Sequence, residues 1–326
     1  MQQLSGEAIF DRFQYLQGQR QTLSWMWEDL ARFTDPQRAD VLTQRTLGDK
    51  RPSPLDITAC KAVDNLAFGI YSTVLNPGDQ WFSLRSTYPE INEILEVSRW
   101  FEKSRNLMMM MMSADGNRFY SQIGGMLKDL VVFGTAIFYV EEVSGTDKII
   151  FRCFHPKNVF IESNNLGVID VVVRKFTLTA RSAKMEFGDA VSDKINHAYD
   201  KNPNTQFEFL HFVGPVMDGK YQTVKKGKPF CSYFVESGTK KIVKEGGYYE
   251  MPYQTPRWSV RGEFDYGESP TWNALASIKM INKMKQLTIE GGESVLRPAI
   301  LAVDELATRG NYEVRPGKLL YGALRP

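Results

Sequence analysis

The sequence predicts an α+β fold, and three observations carry that prediction. Apolar residues recur at helical steps through the first third of the chain, strand-like runs separated by turn signals follow from Thr135, and a further long helical pattern opens at Ser269-Pro270. Helices before strands, without strict alternation, argue against a doubly wound parallel sheet. A length of 326 residues with 24% charged and 43% apolar side chains suits one large or two ordinary globular domains.

From Ser5 to about Thr34, Ile9, Phe10, Phe13, Leu16, Leu23, Trp27 and Leu30 keep three- and four-residue steps, a long amphipathic helix stopped by Asp35-Pro36. Arg38, Arg45, Arg51, Pro52 and Pro54 then mark an exposed loop. Leu55 to Leu75 reads as helix, with Ala59, Ala62, Val63, Leu66, Ile70 and Val74 on one close-packing face and Asn76-Pro77-Gly78 as its stop. Trp81 to Leu84 is expected to form a short strand, and a helix from about Pro89 to Met112 is expected to end in a buried run of five methionines. A helix from about Asn117 to Gly134 precedes the β-rich runs Thr135–Val143, Ile149–His155, Val159–Glu162 and Val168–Phe176, expected as an antiparallel sheet. Thr179 to about Tyr199 reads as one helix weakened at Gly188, and Phe207–Val216, Phe230–Glu236 and Lys240–Val243 as strands of a small β module.

The stretch from Gly247 to Pro298 organises the rest. Tyr248, Tyr249, Tyr253 and Trp258 alternate with polar residues and prolines, which favours an extended, partly buried ribbon. Ser269 is placed to cap and Pro270 occupies the first helical position, so a helix should run to about Glu290 and stop at Gly291-Gly292. Ile278, Met280, Ile281, Met284 and Leu287 are assigned to its buried side, and Lys279, Asn282, Lys283, Gln286 and Glu290 to a polar stripe opposite.

Chemical motifs are sparse. Gly214 to Lys220 has the spacing of a phosphate loop, but Tyr221 stands where a hydroxyl must hold magnesium and extended chain follows where a helix is required, so a hairpin turn explains it better. Asp200, Asn202 and Asn204 open like a calcium loop, yet the sixth position lacks Gly and His211 replaces the bidentate Glu. His155, His197 and His211 are scattered, with His155 read as a strand-end residue, and Cys60, Cys153 and Cys231 are isolated and read as small core hydrophobes. The sequence therefore nominates no catalytic residue, no metal and no cofactor. A net charge of +2 leaves any nucleic-acid contact to local features. Two basic features stand out: Lys220, Lys225, Lys226 and Lys228 in the β module, and Lys279 with Lys283 one turn apart. The N-terminus lacks signal-peptide order and Leu130 to Val140 is too short to span a bilayer, so synthesis in the cytoplasm and no membrane are expected.

The ordered set Leu66-Ala67, Leu75-Asn76-Pro77 with Trp81-Phe82, Asp129 to Ala136, Gly167 to Asp170, Phe187-Gly188, Pro252-Tyr253, Arg257-Trp258, Tyr266 to Pro270, Leu275, Ile278, Lys279 and Arg297-Pro298 resembles the head-to-tail connecting (portal) proteins of short-tailed phages. The resemblance covers about Leu55 to Gly317. It implies a ring, expected dodecameric, at one capsid vertex of the virion, assembled in the host cytoplasm, through which double-stranded DNA is packaged and ejected. It also implies contacts with capsid and scaffold proteins, with a separate terminase that hydrolyses ATP, and with tail adaptors. The implied domains are a wing over 1–178, a first stem helix over 179–205, a clip over 206–268, a second stem helix over 269–292 and a return segment over 293–326, short of the family's helical crown. On that reading Lys279, Lys283 and Gln286 are channel candidates, and Lys220, Lys225, Lys226 and Lys228 candidates for docking partners. Competing readings are a phage-encoded enzyme acting on nucleic acid and another virion adaptor.

Overall fold

The computed structural model describes residues 5–42, 48–50, 52–114, 116–142, 148–216, 227–262, 264–298, 300–302 and 319–321. Helices come first: α1 (Gly6–Thr34), α2 (Thr58–Val74), α3 (Pro89–Glu93), α4 (Leu95–Ser113) and α5 (Phe119–Phe133). Strands β1 (Ile137–Glu142), β2 (Ile149–Phe154), β3 (Val159–Ser163) and β4 (Ile169–Thr179) follow, then α6 (Ala180–Phe187) and α7 (Asp193–Lys201). The rest comprises β5 (Gln206–Pro215), β6 (Phe230–Glu236), β7 (Lys241–Tyr248), β8 (Tyr253–Gln254), α8 (Pro270–Leu296), β9 (Ile300–Ala302) and β10 (Leu319–Tyr321). The α+β expectation holds.

The expected single sheet is two. One has the order β2-β1-β8, the other β3-β4-β5-β6-β7, all antiparallel, and β9 pairs separately with β10 in parallel. The division falls at Pro156–Asn158, a 3-10 turn between β2 and β3 that redirects the chain and whose leading proline cannot continue a ladder. Strands β5 to β7, expected as a small β module of their own, extend the sheet of β3 and β4. Eight consecutive residues of β4, Val172 to Thr179, pair with β5, so both sets of strands share one ladder.

Three local expectations need correction. The helix expected over Thr179–Tyr199 is two short ones, because Gly188 adopts φ +59 and Val191 is extended. They fold over the larger sheet, burying Ala180, Ala183, Phe187, Val191 and Ile195 with Phe209 and Val243. Trp81 to Leu84 is irregular; Trp81 stacks on Phe119 with centroids 6.1 Å apart, so ring packing holds this segment in place of strand pairing. The methionine run is not buried. No residue of α4 is buried, Met108 and Met110 are exposed, and Met112 alone of the five leans on the cluster of Phe119, Phe138 and Phe151.

Helix α1, capped by Ser5, is roughly 43 Å long and joins the two halves of the fold. Its first half packs Ile9, Phe13 and Leu16 on Phe160, Leu210, Tyr233 and Val235 of the large sheet. The second half packs Trp27, Leu30 and Ala31 against Val63, Val131, Val132, Phe133 and Leu275 of α2, α5 and α8. Between them Arg20 is 5% exposed, donates to the carbonyls of Pro156 and Val159 at 2.7 Å each, and lies 3.8 Å over the Phe160 ring. These charge-assisted bonds to backbone carbonyls fix α1 against the turn that separates the sheets.

Candidate assembly and nucleic-acid surface

Helix α8 is anchored at its start and unsupported at its end. Gly134, at φ +75, closes α5 and lies so near the 267–269 backbone that a Cβ there would meet the Gly267 carbonyl oxygen at 2.4 Å. Trp258 N–H donates to the Gly134 carbonyl at 2.8 Å and Gly267 N–H to Thr135 Oγ1 at 2.9 Å. Ser269 Oγ accepts from Trp272 N–H at 3.1 Å, the expected cap, with Pro270 next to it. Thr271 Oγ1 is 3.3 and 3.0 Å from the carbonyls of Val131 and Val132, so α8 begins by satisfying last-turn acceptors of α5.

The buried side of α8 is not the one assigned from sequence. Thr271, Leu275 and Asn282 are buried, whereas Met280, Ile281, Met284 and Leu287 are 42–56% exposed. Four- and seven-residue steps put Thr271, Leu275, Ile278 and Asn282 in one phase. Asn282, expected in the polar stripe, accepts from Asp56 N–H at 3.0 Å and donates to the Ile278 carbonyl at 3.0 Å. Nor does the helix stop at Gly291-Gly292, since neither has positive φ; it runs to Leu296. Every residue from Lys283 to Leu296 is exposed, including Leu287 at 54%, Ile289 at 51%, Val295 at 80% and Leu296 at 83%. A solvent-surrounded half-helix of this composition lacks the tertiary packing that ordinarily stabilises short helices in water.

The channel candidates lie on one flank. Lys279 forms an ion pair with Asp29 of α1 and lies 5.9 Å from the Phe33 ring centroid. Lys283 donates to Gln286 Oε1 at 3.2 Å, and Gln286 donates to Glu290 Oε1 at 2.7 Å. Lys285 pairs with Asp56, whose carboxylate also accepts from Thr58 N–H at 2.7 Å. The hydrogen bond from Lys285, then that from Thr58, holds the Asp56 carboxyl down at about 2. Of the docking candidates, Lys220, Lys225 and Lys226 lie outside the described residues. Lys228 donates to the Gly247 carbonyl at 2.8 Å and sits 4.9 Å from the Tyr249 ring centroid, joining the chain ahead of β6 to the end of β7. The turn expected at Gly214 to Lys220 falls mostly outside the described residues, although its flanking strands pair antiparallel from Pro215 and Phe230.

An apolar groove of about 290 Å³ runs between α2 and α8, lined by Ala59, Ala62, Leu66, Ala274 and Ile281 among others. The small residues of α2 expected to pack closely therefore border a groove. Cys231 is buried as expected, and Cys60 and Cys153 are half-buried. His155 follows β2 as expected, and its Nδ1 accepts from Lys157 N–H at 3.2 Å. Among the described residues no cluster of His, Cys, Asp or Glu is arranged to hold a metal, and no helix is long and apolar enough to cross a membrane.

The sequence model of the bacteriophage head to tail connecting proteins matches residues 7–324. The chain belongs to that family. It is 26% identical over 331 aligned positions to the portal protein of Salmonella phage epsilon15, covering 98% of this chain and 58% of the relative. It is also 26% identical over 290 positions to the probable portal protein of Bordetella phage BPP-1, covering 86% of this chain and 51% of the relative. The chain thus spans somewhat over half the length of these portal relatives. Asp29, Asp56 and Lys285 were missed from sequence because Asp29 pairs across 250 positions and no local signal marks such a contact. Asn282 was legible in principle: it stands seven residues after Leu275, in the phase of the buried stripe.

Proposed function

We propose that the chain is a portal subunit, a structural part of the virion at the head-to-tail junction and not an enzyme. Copies form a closed ring, expected dodecameric, around an axial passage for double-stranded DNA. Family membership supports the portal reading, and the observation that carries the ring is the exposed apolar half of α8. Met280, Met284, Leu287 and Val295, in one phase of the helix, would be buried against identical helices of neighbouring subunits, while Lys283 and Gln286 stay on the adjoining flank for the lumen. In this reading α8 is a stem helix. The wing, clip and first-stem boundaries at 178, 205 and 268 are also part of the proposal, with α6 and α7 in place of one stem helix. Lys228, with Lys220, Lys225 and Lys226, would lie on the surface met by terminase during packaging and by tail adaptors afterwards, and capsid and scaffold proteins would surround the ring. Assembly in the host cytoplasm precedes incorporation into the virion. Velocity sedimentation of the purified protein tests the reading: a ring of many subunits that becomes smaller on Leu287→Glu is expected, and a monomer with nuclease or ATPase activity would overturn it.

A further inference from the structure

Helix α8 carries three lysines between positions 279 and 285, and their surroundings differ. Lys279 is matched by Asp29 and Lys285 by Asp56, each carboxylate coming from another part of the fold. Lys283 meets the neutral amide of Gln286 and reaches Glu290 only through it. Asp56 does more than pair. Its side chain takes Lys285 and Thr58 N–H while its own N–H is received by Asn282. Positions 282 and 285 lie about 60° apart around a helix, so two contacts converging on one residue fix the rotation of α8 about its axis.

We propose that Asp29 and Asp56 are positioning residues that neutralise Lys279 and Lys285 and orient α8, leaving Lys283 as the lysine of this stretch that meets the phosphates of double-stranded DNA. This rests on the channel reading above and makes it specific. A passage for sliding DNA is served by few and weak phosphate contacts, and a lysine already facing a carboxylate releases fewer counterions when a phosphate approaches.

The test is the salt dependence of binding of a short blunt-ended DNA duplex to the full chain. Lys283→Gln should weaken binding and make the slope of log affinity against log salt shallower by about 0.9 for each phosphate that is no longer neutralised. Lys279→Gln should leave the slope unchanged. Asp29→Asn, which frees Lys279, should tighten binding and steepen the slope, a gain that a purely structural role does not produce. Asp56→Asn keeps an acceptor for Thr58 N–H, so the fold should persist while amide exchange of α8 beyond Lys283 accelerates. The inference is overturned if Asp29→Asn leaves the slope unchanged or shallower, if Lys279→Gln weakens binding as much as Lys283→Gln, or if no variant shows salt-dependent binding. Failure of the ring reading is separate: it appears as a monomer in sedimentation, and the same slopes measured on that monomer still decide the roles of the three lysines.

Discussion

Replacing Asp129 by Asn should stabilise the protein at neutral pH and give no gain under mild acid. Asp129 is 1% exposed on α5, with Arg38 Nη2 at 3.2 Å and Cys153 Sγ at 3.6 Å. Burial pushes its carboxyl up from the ordinary 3.8 to about 6, against the attraction of Arg38 and His155. The folded chain therefore binds this proton more tightly than the unfolded chain. Stability held through this group is complete below the unfolded value and falls as pH rises from about 4 to about 6. The gap of roughly two pH units, at about 1.36 kcal/mol each, leaves an ionisation penalty of about 3 kcal/mol at neutral pH. Asn removes that penalty but brings an amide donor into a buried site shaped for a carboxylate, beside the Arg38 guanidinium, at a cost of about 1 kcal/mol, for a net gain of about 2 kcal/mol. For a chain of this length that is roughly 3 °C in the unfolding midpoint. Thermal unfolding of both proteins, at one protein concentration, near pH 7.5 and near pH 4.5 should show the gain at the first and almost none at the second. An Asn variant less stable at both values, or equally improved at both, would refute the assignment of a buried, ionised Asp129.

Gly134→Ala places a Cβ 2.4 Å from the Gly267 carbonyl oxygen at φ +75, so the soluble yield should collapse; a soluble protein with an unchanged midpoint would contradict this contact. His211 lies between Tyr253 Oη at 2.7 Å and Ser232 Oγ at 2.9 Å, stacked on Phe234, and burial, with Arg174 and Lys244 adding, pushes its pKa well below 6.5. Its share of stability is present above the unfolded value and lost as pH falls below it, so His211→Gln should flatten the acid limb of a plot of midpoint against pH.

Elements governed by local chemistry were legible. The extent of α1, the end of α5 at Gly134, the cap and proline that open α8, and the strand positions of β5 and β6 all follow from side-chain period and turn residues. The surroundings of the candidate lysines were not. Lys279 and Lys283 are identical in sequence terms, one turn apart, yet one faces a carboxylate from α1 and the other does not. The methionine run misled for a related reason: hydrophobicity says what a residue prefers, and the outer faces of α4 are exposed.

By itself the sequence determined the α+β class, the order and most limits of the elements, and, through an ordered set of motifs, the family. Those properties depend on backbone sterics and on periodicities that act within a few residues, so they survive without knowledge of neighbours. Only the tertiary structure decided that β4 and β5 join the strands into one larger sheet, that Asn282 belongs to the buried stripe of α8, and that Asp29 and Asp56 each hold a lysine. Strand partners and ion pairs are chosen across scores to hundreds of residues, by which surfaces meet when the apolar faces are buried, and a linear pattern contains the faces but not their meeting.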